Sequence, residues 1–246
     1  MLATVVSIPS FLGSVRGFLP LQEAPVLLWV ALPQFVLGIA AMALMRKIDP
    51  RLILAAGFSL VALACLLNSC LTSVWAGPDF SMPQAVMAVG LALAFNSMVG
   101  SIVLEVIDTG ALSRPVDVLT FACLFHVTRL FGGEMGSAFM GHFIAIREEF
   151  HSNMLGLKVQ LGNGLTDHRL LGLRGAFSTY STGLTGTGRA AEVLALQIRQ
   201  QAFTLAISDS FMLLASCCAA CLVIVGFMST VPTQYHQIIS SNAGTK

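Results

Sequence analysis

Four ionisable side chains lie in or beside long apolar stretches, where charge is rare and needs a physical reason. His126, Arg129 and Glu134 interrupt one such stretch, and Asp209 directly precedes another. An ionisable group in the hydrocarbon of a bilayer costs about 2.5–3.5 kcal/mol on insertion scales, so it usually binds substrate, relays protons or pairs with another charge. These four residues are therefore the candidates for a polar path through a helix bundle.

Their spacing indicates that the two charges on the first stretch have different partners. On a helix, His126, Arg129 and Gly133 fall at i, i+3 and i+7 and share one face. Glu134 lies about 140° around the helix from Arg129, at about 100° per residue. Structural roles are open as well: Arg129 can extend to the headgroups, Glu134 can pair with another helix, and Asp209 can sit at the membrane boundary. The neutral imidazole of His126 can be satisfied by a backbone carbonyl.

Small residues surround these charges and predict close helix packing rather than chemistry. Gly132 and Gly136 are four residues apart, as are Gly133 and Ser137, and Gly141 follows one turn later. In lipid, small residues at this spacing let two helices approach closely. An earlier apolar segment carries a similar set: Gly90, Ala94, Asn96, Ser97 and Gly100.

Catalytic, metal-binding and cofactor-binding motifs are absent from the sequence. It has no His-Glu-x-x-His, phosphate-loop or Gly-x-Ser-x-Gly pattern, so we expect neither an enzyme nor a cofactor. The cysteines all lie in apolar runs, and the spaced pair Cys218 and Cys221 lacks the second pair or histidine that a metal or redox site needs. The charges form no basic stripe, which excludes nucleic acid as a partner.

The composition requires that these residues be positioned by elements lying in a membrane. Of 246 residues, 56% are hydrophobic and 10% are charged, and the mean hydropathy is +0.83. Soluble domains carry about 25% charged residues, because their surfaces must stay hydrated. The values exclude a soluble enzyme, a disordered tail and a disulfide-stabilised secreted module. They predict an all-α integral membrane protein surrounded by a lipid bilayer.

Charge-free runs mark the segments that cross the bilayer, since about 30 Å of hydrocarbon is spanned at about 1.5 Å per residue. We expect four transmembrane helices within 24–146 and a last one within 201–230. Residues 1–18 are interpreted as the end of a further span, and residues 231–246 as a cytoplasmic tail. The first four helices are expected at 24–45, 52–78, 80–104 and 116–146.

One connection, 147–200, is long and rich in Gly, Ser and Thr. Such a composition buries little apolar area, so we expect a mobile, solvent-facing loop that turns helical near Arg189 and runs into the last span. The positive-inside rule favours a cytoplasmic position for the connection that carries Arg46, Lys47 and Arg51. This orientation makes the long loop extracytoplasmic.

Several motifs, taken in order, resemble one transporter family. Arg129-Leu-Phe-Gly-Gly-Glu-Met-Gly-Ser-Ala138 resembles the Arg-x-x-Gly-Gly-x-x-Gly-x-Ala signature in the penultimate span of fourteen-span drug:proton antiporters, the EmrB/QacA-like members of the major facilitator superfamily. Arg147-Glu-Glu-Phe-His151 is similar to the residues that open the last extracytoplasmic loop of this family. Ser208-Asp209-Ser-Phe211 is similar to the start of its last span. Upstream, Val15-Arg-Gly-Phe-Leu-Pro-Leu-Gln22 is similar to the loop that leads into its tenth span, so the ordered set covers essentially the whole chain.

The resemblance implies the C-terminal part of a major facilitator helix bundle, with residues 1–18 as a partial ninth span and five complete spans after it. It also implies exchange of a small organic substrate for protons across the inner (plasma) membrane of a bacterium. The missing N-terminal half would hold the carboxylate usually assigned to proton coupling, so we expect this chain alone not to transport. Glu134 stands where the family pattern has a small or uncharged polar residue, so no proton-linked role is implied for it.

A freestanding accessory or regulatory membrane protein is the alternative. Such a protein would use the same small-residue faces to pair with helices of another protein. The two hypotheses differ in whether Met1 is a genuine start, because a freestanding protein is not expected to begin within a span.

Overall fold

The chain is helical throughout the residues that its computed structural model describes, which are 6–45, 47–108, 115–159, 164–177 and 184–228. Within these ranges there are seven α-helices and one short 3-10 helix, and no strand. The predicted all-α class is confirmed. The helices are α1 (Ile8–Arg16), α2 (Pro20–Met45), α3 (Pro50–Ser69), α4 (Ser81–Asp108), α5 (Pro115–Lys158), α6 (Gly164–Phe177) and α7 (Leu184–Phe227), with the 3-10 turn at Gly77–Phe80.

Five of these helices, α2, α3, α4, α5 and α7, are long and apolar enough to cross a membrane. This confirms the five complete spans expected from the charge-free runs. By contrast, α1 has 9 residues, or ~14 Å at the helical rise per residue, which is less than half the hydrocarbon thickness. The expected tail 231–246, residues 1–5 and Arg46 lie outside the described ranges.

The short connections are fixed by residues with specific backbone roles. Gly17 ends α1 in the left-handed region, with φ 66°, which a residue without a Cβ adopts readily. The carboxylate of Asp49 accepts a hydrogen bond from the Arg51 backbone N–H at 3.0 Å and caps the start of α3, where Pro50 occupies the first turn. Asp79 accepts from the Ala76 backbone N–H at 2.8 Å in the 3-10 turn.

The antiparallel pair α3 and α4 packs closely because small residues line the contact. A Cβ placed on Gly57 would lie 2.5 Å from the backbone N of Ala94, and one on Gly90 would lie 2.8 Å from the backbone N of Val61. Real Cβ atoms do not approach backbone this closely, so the two helices meet at a distance that only glycine permits. The prediction that Gly90 and Ala94 serve helix packing is confirmed.

A single large apolar cluster joins α1, α2, α3, α4, α5 and α7. Its largest members are fully buried, and the ring of Phe11 meets that of Phe80 edge-on at 5.9 Å between centroids. From α7 the cluster receives Ile207 and Phe211, both with 0% exposure. Helix α7 therefore lies at the centre of the bundle and also contacts α5 and α6.

Helix α5 joins this bundle through its second half only. Met140 and Ile144 are buried in the common apolar cluster, next to α7. Residues 116–139 of the same helix are exposed or partly exposed, and none of the apolar window that qualifies α5 as a span is buried. The first half of α5 therefore forms an open face, defined here as residues 116–139.

The segment 147–200 differs from the irregular loop expected from its composition. In its described part α5 continues to Lys158, α6 forms a separate helix, and α7 begins at Leu184. Nucleation is the unfavourable step of helix formation, and both long helices are already nucleated in their apolar halves, so extension adds one hydrogen bond per residue. Thr166 of α6 is nearly buried, and α6 packs on α7. Helix was expected from about Arg189, and α7 begins five residues earlier, at Leu184, and runs without a break into the last apolar segment.

Candidate functional site

Asp209 lies at the centre of a three-residue cluster that joins α5 to α7. Nε and Nη2 of Arg147 donate to Asp209 Oδ2 at 2.7 Å and 2.5 Å. His151 Nε2 lies 2.7 Å from the same oxygen. Because an ionised carboxylate only accepts hydrogen bonds, the imidazole donates from Nε2. We call Arg147, His151 and Asp209 the α5–α7 cluster.

The α5–α7 cluster is partly shielded from solvent, with side-chain exposures of 34% for Arg147, 17% for His151 and 30% for Asp209. The guanidinium of Arg147 also lies 5.0 Å from the centroid of the Phe150 ring. An aromatic face attracts a cation, so Phe150 helps to hold Arg147 against the carboxylate. The arrangement can fix the approach of α5 to α7.

The cluster lies at one boundary of the apolar part of α7. The uncharged segment 210–228 extends for ~28 Å at the helical rise per residue, which is close to the hydrocarbon thickness. Asp209 directly precedes that uncharged segment. A second ion pair, Arg199 Nε to Glu148 Oε1 at 3.1 Å, joins the same two helices, but 77% of the Arg199 side chain is exposed.

The other three candidates lie on the open face of α5 and are all exposed. Arg129 places its guanidinium 5.1 Å from the centroid of the Phe95 ring on α4. His126 lies edge-on to the adjacent Phe125 ring at 6.0 Å between centroids. Within the described ranges no acidic side chain pairs with Arg129, and no basic one pairs with Glu134.

The structure therefore divides the four candidates into two groups. Arg129 precedes Arg147 by ~27 Å along α5 at the helical rise per residue, so Asp209 does not join the other three. The expectation from spacing that Arg129 and Glu134 have different partners stays a prediction, as do their roles in transport. Among the described residues, the Glu134 carboxylate forms no ion pair. The Ser137 hydroxyl donates to the backbone carbonyl of Glu134 at 2.9 Å.

The glycines expected to pack against another helix are open in the described structure. A Cβ on Gly132, Gly133 or Gly141 would meet no atom within 4 Å, and Gly136 is only partly buried. Within the described residues no helix fills the space beside them. Their role in helix packing stays a prediction.

Two partners of Asp209 were not identified as such from the sequence. Arg147 and His151 belong to one motif of the resemblance and Asp209 to another, but the pairing spans 62 and 58 residues. No periodicity connects positions that far apart. Arg51 also donates to the backbone carbonyls of Val225 and Gly226 at the end of α7, and the sequence near Arg51 does not indicate this contact.

The described helices fit one class of protein, a multi-span helical membrane protein. No three His, Cys, Asp or Glu side chains in the described ranges lie close enough together to hold a metal ion. No family model, no curated protein and no solved structure matches the chain. Function is therefore inferred from the residues and geometry of the chain itself.

Proposed function

We propose that the chain is the C-terminal portion of a proton-driven exporter of small organic compounds in the inner membrane of a bacterium. The observation that carries the proposal is the open face of α5, which presents Arg129, Glu134 and His126 with no ionic partner among the described residues. Charged side chains at membrane depth face a bundle interior or a water-filled cavity. The open face therefore faces a cavity completed by the missing N-terminal half.

The small residues on α5 support the same arrangement. Gly132, Gly133 and Gly141 have open space where a Cβ would be, so a second helix can approach the backbone of α5 there. The α3–α4 pair shows that this chain does use glycine for such contacts where a partner helix is present. The glycines of α5 bring the N-terminal half close, and the charges between them line the substrate path.

Arg129 is the residue to which we assign the main role in the substrate path. Its cation lies against the Phe95 ring, which fixes it between α4 and α5. A guanidinium in this position attracts anionic groups of a substrate or a carboxylate of the other half. His126 lies on the same side of α5 as Arg129, whereas Glu134 lies about 140° around the helix, and both contribute polarity to this exposed half of α5.

Efflux of a fluorescent organic cation such as ethidium tests the proposal. Cells without their own efflux pumps would express either this chain alone or the whole reading frame in which it lies. We expect the whole frame to lower dye accumulation, a protonophore to abolish that effect, and the chain alone to leave accumulation unchanged. Dye export by the chain alone, or export that a protonophore does not affect, would contradict the proposal.

Two arginine variants in the whole frame separate a role in transport from a role in folding. Arg129→Gln is expected to abolish export at an unchanged level of protein in the membrane. Arg199→Gln removes an equal charge from the exposed pair with Glu148, and export is expected to persist. Loss of export in both variants, or in neither, would show that Arg129 has no specific role.

An accessory membrane protein is the second candidate, and the same open face of α5 favours it. In that case the face binds helices of another membrane protein, and no reading frame that contains this chain exports the dye. The chain would then depend on a second gene for its stable insertion, whereas an exporter needs only the spans encoded in its own frame.

A further inference from the structure

Two carboxamide side chains lie unsatisfied in the interior of the helix bundle. Asn68 of α3 and Gln84 of α4 both have 0% exposure. All four of their side-chain nitrogen and oxygen atoms are buried and have no hydrogen-bond partner among the described residues. Neither residue belongs to the polar path proposed above.

Both carboxamides lie at one level of the α3–α4 pair. The close approach of Gly90 to Val61 sets the register of these antiparallel helices. Asn68 lies seven residues beyond Val61 and Gln84 six residues before Gly90, which is ~10 Å along the axis in the same direction for both. Asn68 and Gln84 therefore form one polar layer, defined by these two residues, at a common level of the two helices.

Further buried polar groups lie close to this layer. Ser208 of α7 donates its hydroxyl to the backbone carbonyl of Ser69, the residue after Asn68. Two residues later, Ser210 shares a hydrogen bond of 3.2 Å with Ser7, and both serines have 0% exposure. Helices α1, α3, α4 and α7 thus contribute polar groups to the same end of the core.

Unsatisfied carboxamides in an apolar interior are unstable, because each loses its bonds to water and gains none in return. Each carboxamide offers two N–H donors and a carbonyl acceptor, and it carries no charge. Because both side chains are neutral, a neutral hydrogen-bonding molecule is favoured over an ion. Water is the smallest such molecule and commonly bridges buried polar groups.

We propose that the Asn68–Gln84 layer binds internal water, which bridges the two carboxamides and hydrates the core between α3 and α4. This site is separate from the α5–α7 cluster and from the open face of α5. The α3–α4 contact is then tight at Gly57 and Gly90 and hydrated about two turns beyond Gly90.

Hydroxyl-radical footprinting by X-ray radiolysis tests the proposal, since radicals generated from bound water oxidise side chains that bulk solvent does not reach. Met87 lies one turn from Gln84 on α4, and Met140 lies on α5, which contributes neither carboxamide. Both are 1% exposed and carry the same thioether, so they form a matched pair. In the purified chain in nanodiscs, we expect Met87 to be oxidised several-fold faster than Met140.

Equal oxidation rates for Met87 and Met140 in the native chain would overturn the proposal without any variant. The double variant N68L/Q84L replaces both carboxamides by apolar groups of similar size, a change that removes the need for a partner. We expect it to slow Met87 oxidation to the rate of Met140 and to leave Met140 unchanged. Fast oxidation of Met87 in a folded double variant would also overturn the proposal.

Discussion

The α5–α7 cluster provides the sharpest energetic test of the structure. The perturbation is a double-mutant cycle of Asp209→Asn and Arg147→Gln, which removes the two charges and leaves polar side chains in their place. The asparagine introduced at 209 keeps one acceptor oxygen but has no negative charge to attract the guanidinium. The glutamine introduced at 147 lacks the Nε and Nη2 groups through which Arg147 contacts Oδ2. The coupling energy of the cycle isolates the pair from the other effects of each substitution.

The size of the coupling follows from the burial of the two side chains. An exposed ion pair contributes about 0.2–1 kcal/mol, whereas breaking a buried pair costs about 3–5 kcal/mol. Arg147 and Asp209 are 34% and 30% exposed, so they lie between these limits. We therefore expect a coupling energy of about 2 kcal/mol.

The Glu148–Arg199 pair is a matched control, because it joins the same two helices with the same chemistry. Its arginine is 77% exposed, so the corresponding cycle of Glu148→Gln and Arg199→Gln is expected to give about 0.5 kcal/mol. Reversible unfolding of the purified chain by SDS in mixed micelles measures both cycles. A coupling for Asp209 and Arg147 no larger than that of the control would refute the link between burial and stability.

Three further substitutions test other contacts of the structure. Gly57→Ala is expected to destabilise the purified chain by about 1–3 kcal/mol in SDS unfolding, because its Cβ would collide with the α4 backbone. Gly132→Ala, by contrast, is expected to be neutral or stabilising by up to about 1 kcal/mol, since its Cβ meets open space. Arg51→Gln is expected to speed amide hydrogen exchange in the last turn of α7, because the side chain bonds the Val225 carbonyl at 2.9 Å, a contact with a net contribution of about 1 kcal/mol. Unchanged exchange there, or equal stability changes at the two glycines, would contradict these contacts.

The sequence was sufficient to predict the spans, because hydrocarbon thickness and residue hydropathy act locally along the chain. The long apolar runs located α2, α3, α4, α5 and α7, and the small residues Gly90 and Ala94 indicated a close contact. The composition of 147–200 did not predict that α5 and α7 extend into this segment, because helices lengthen readily once they are nucleated. Propensity is a weak guide where tertiary packing supplies the stability, as α6 illustrates on α7.

The candidate site was predicted in part, and the missing part depends on tertiary structure. Intramembrane charge is visible in a sequence, so Arg129 and Asp209 were found as unusual residues. The partners Arg147 and His151 lie outside the apolar run and carry no local anomaly, so only the packing of α5 on α7 reveals their contact with Asp209. The buried carboxamides of Asn68 and Gln84 went unnoticed because one polar residue in a span is common, and only burial shows that it lacks a partner.

The measurement that tests the central claim most directly is the DNA sequence immediately upstream of the Met1 codon, read in the same frame. If the chain is the C-terminal portion of an exporter, that frame stays open and encodes further hydrophobic spans that complete the bundle against the open face of α5. An in-frame stop codon followed by a ribosome-binding site directly before Met1 would contradict this claim. The open face would then belong to a freestanding protein that pairs with helices from another gene.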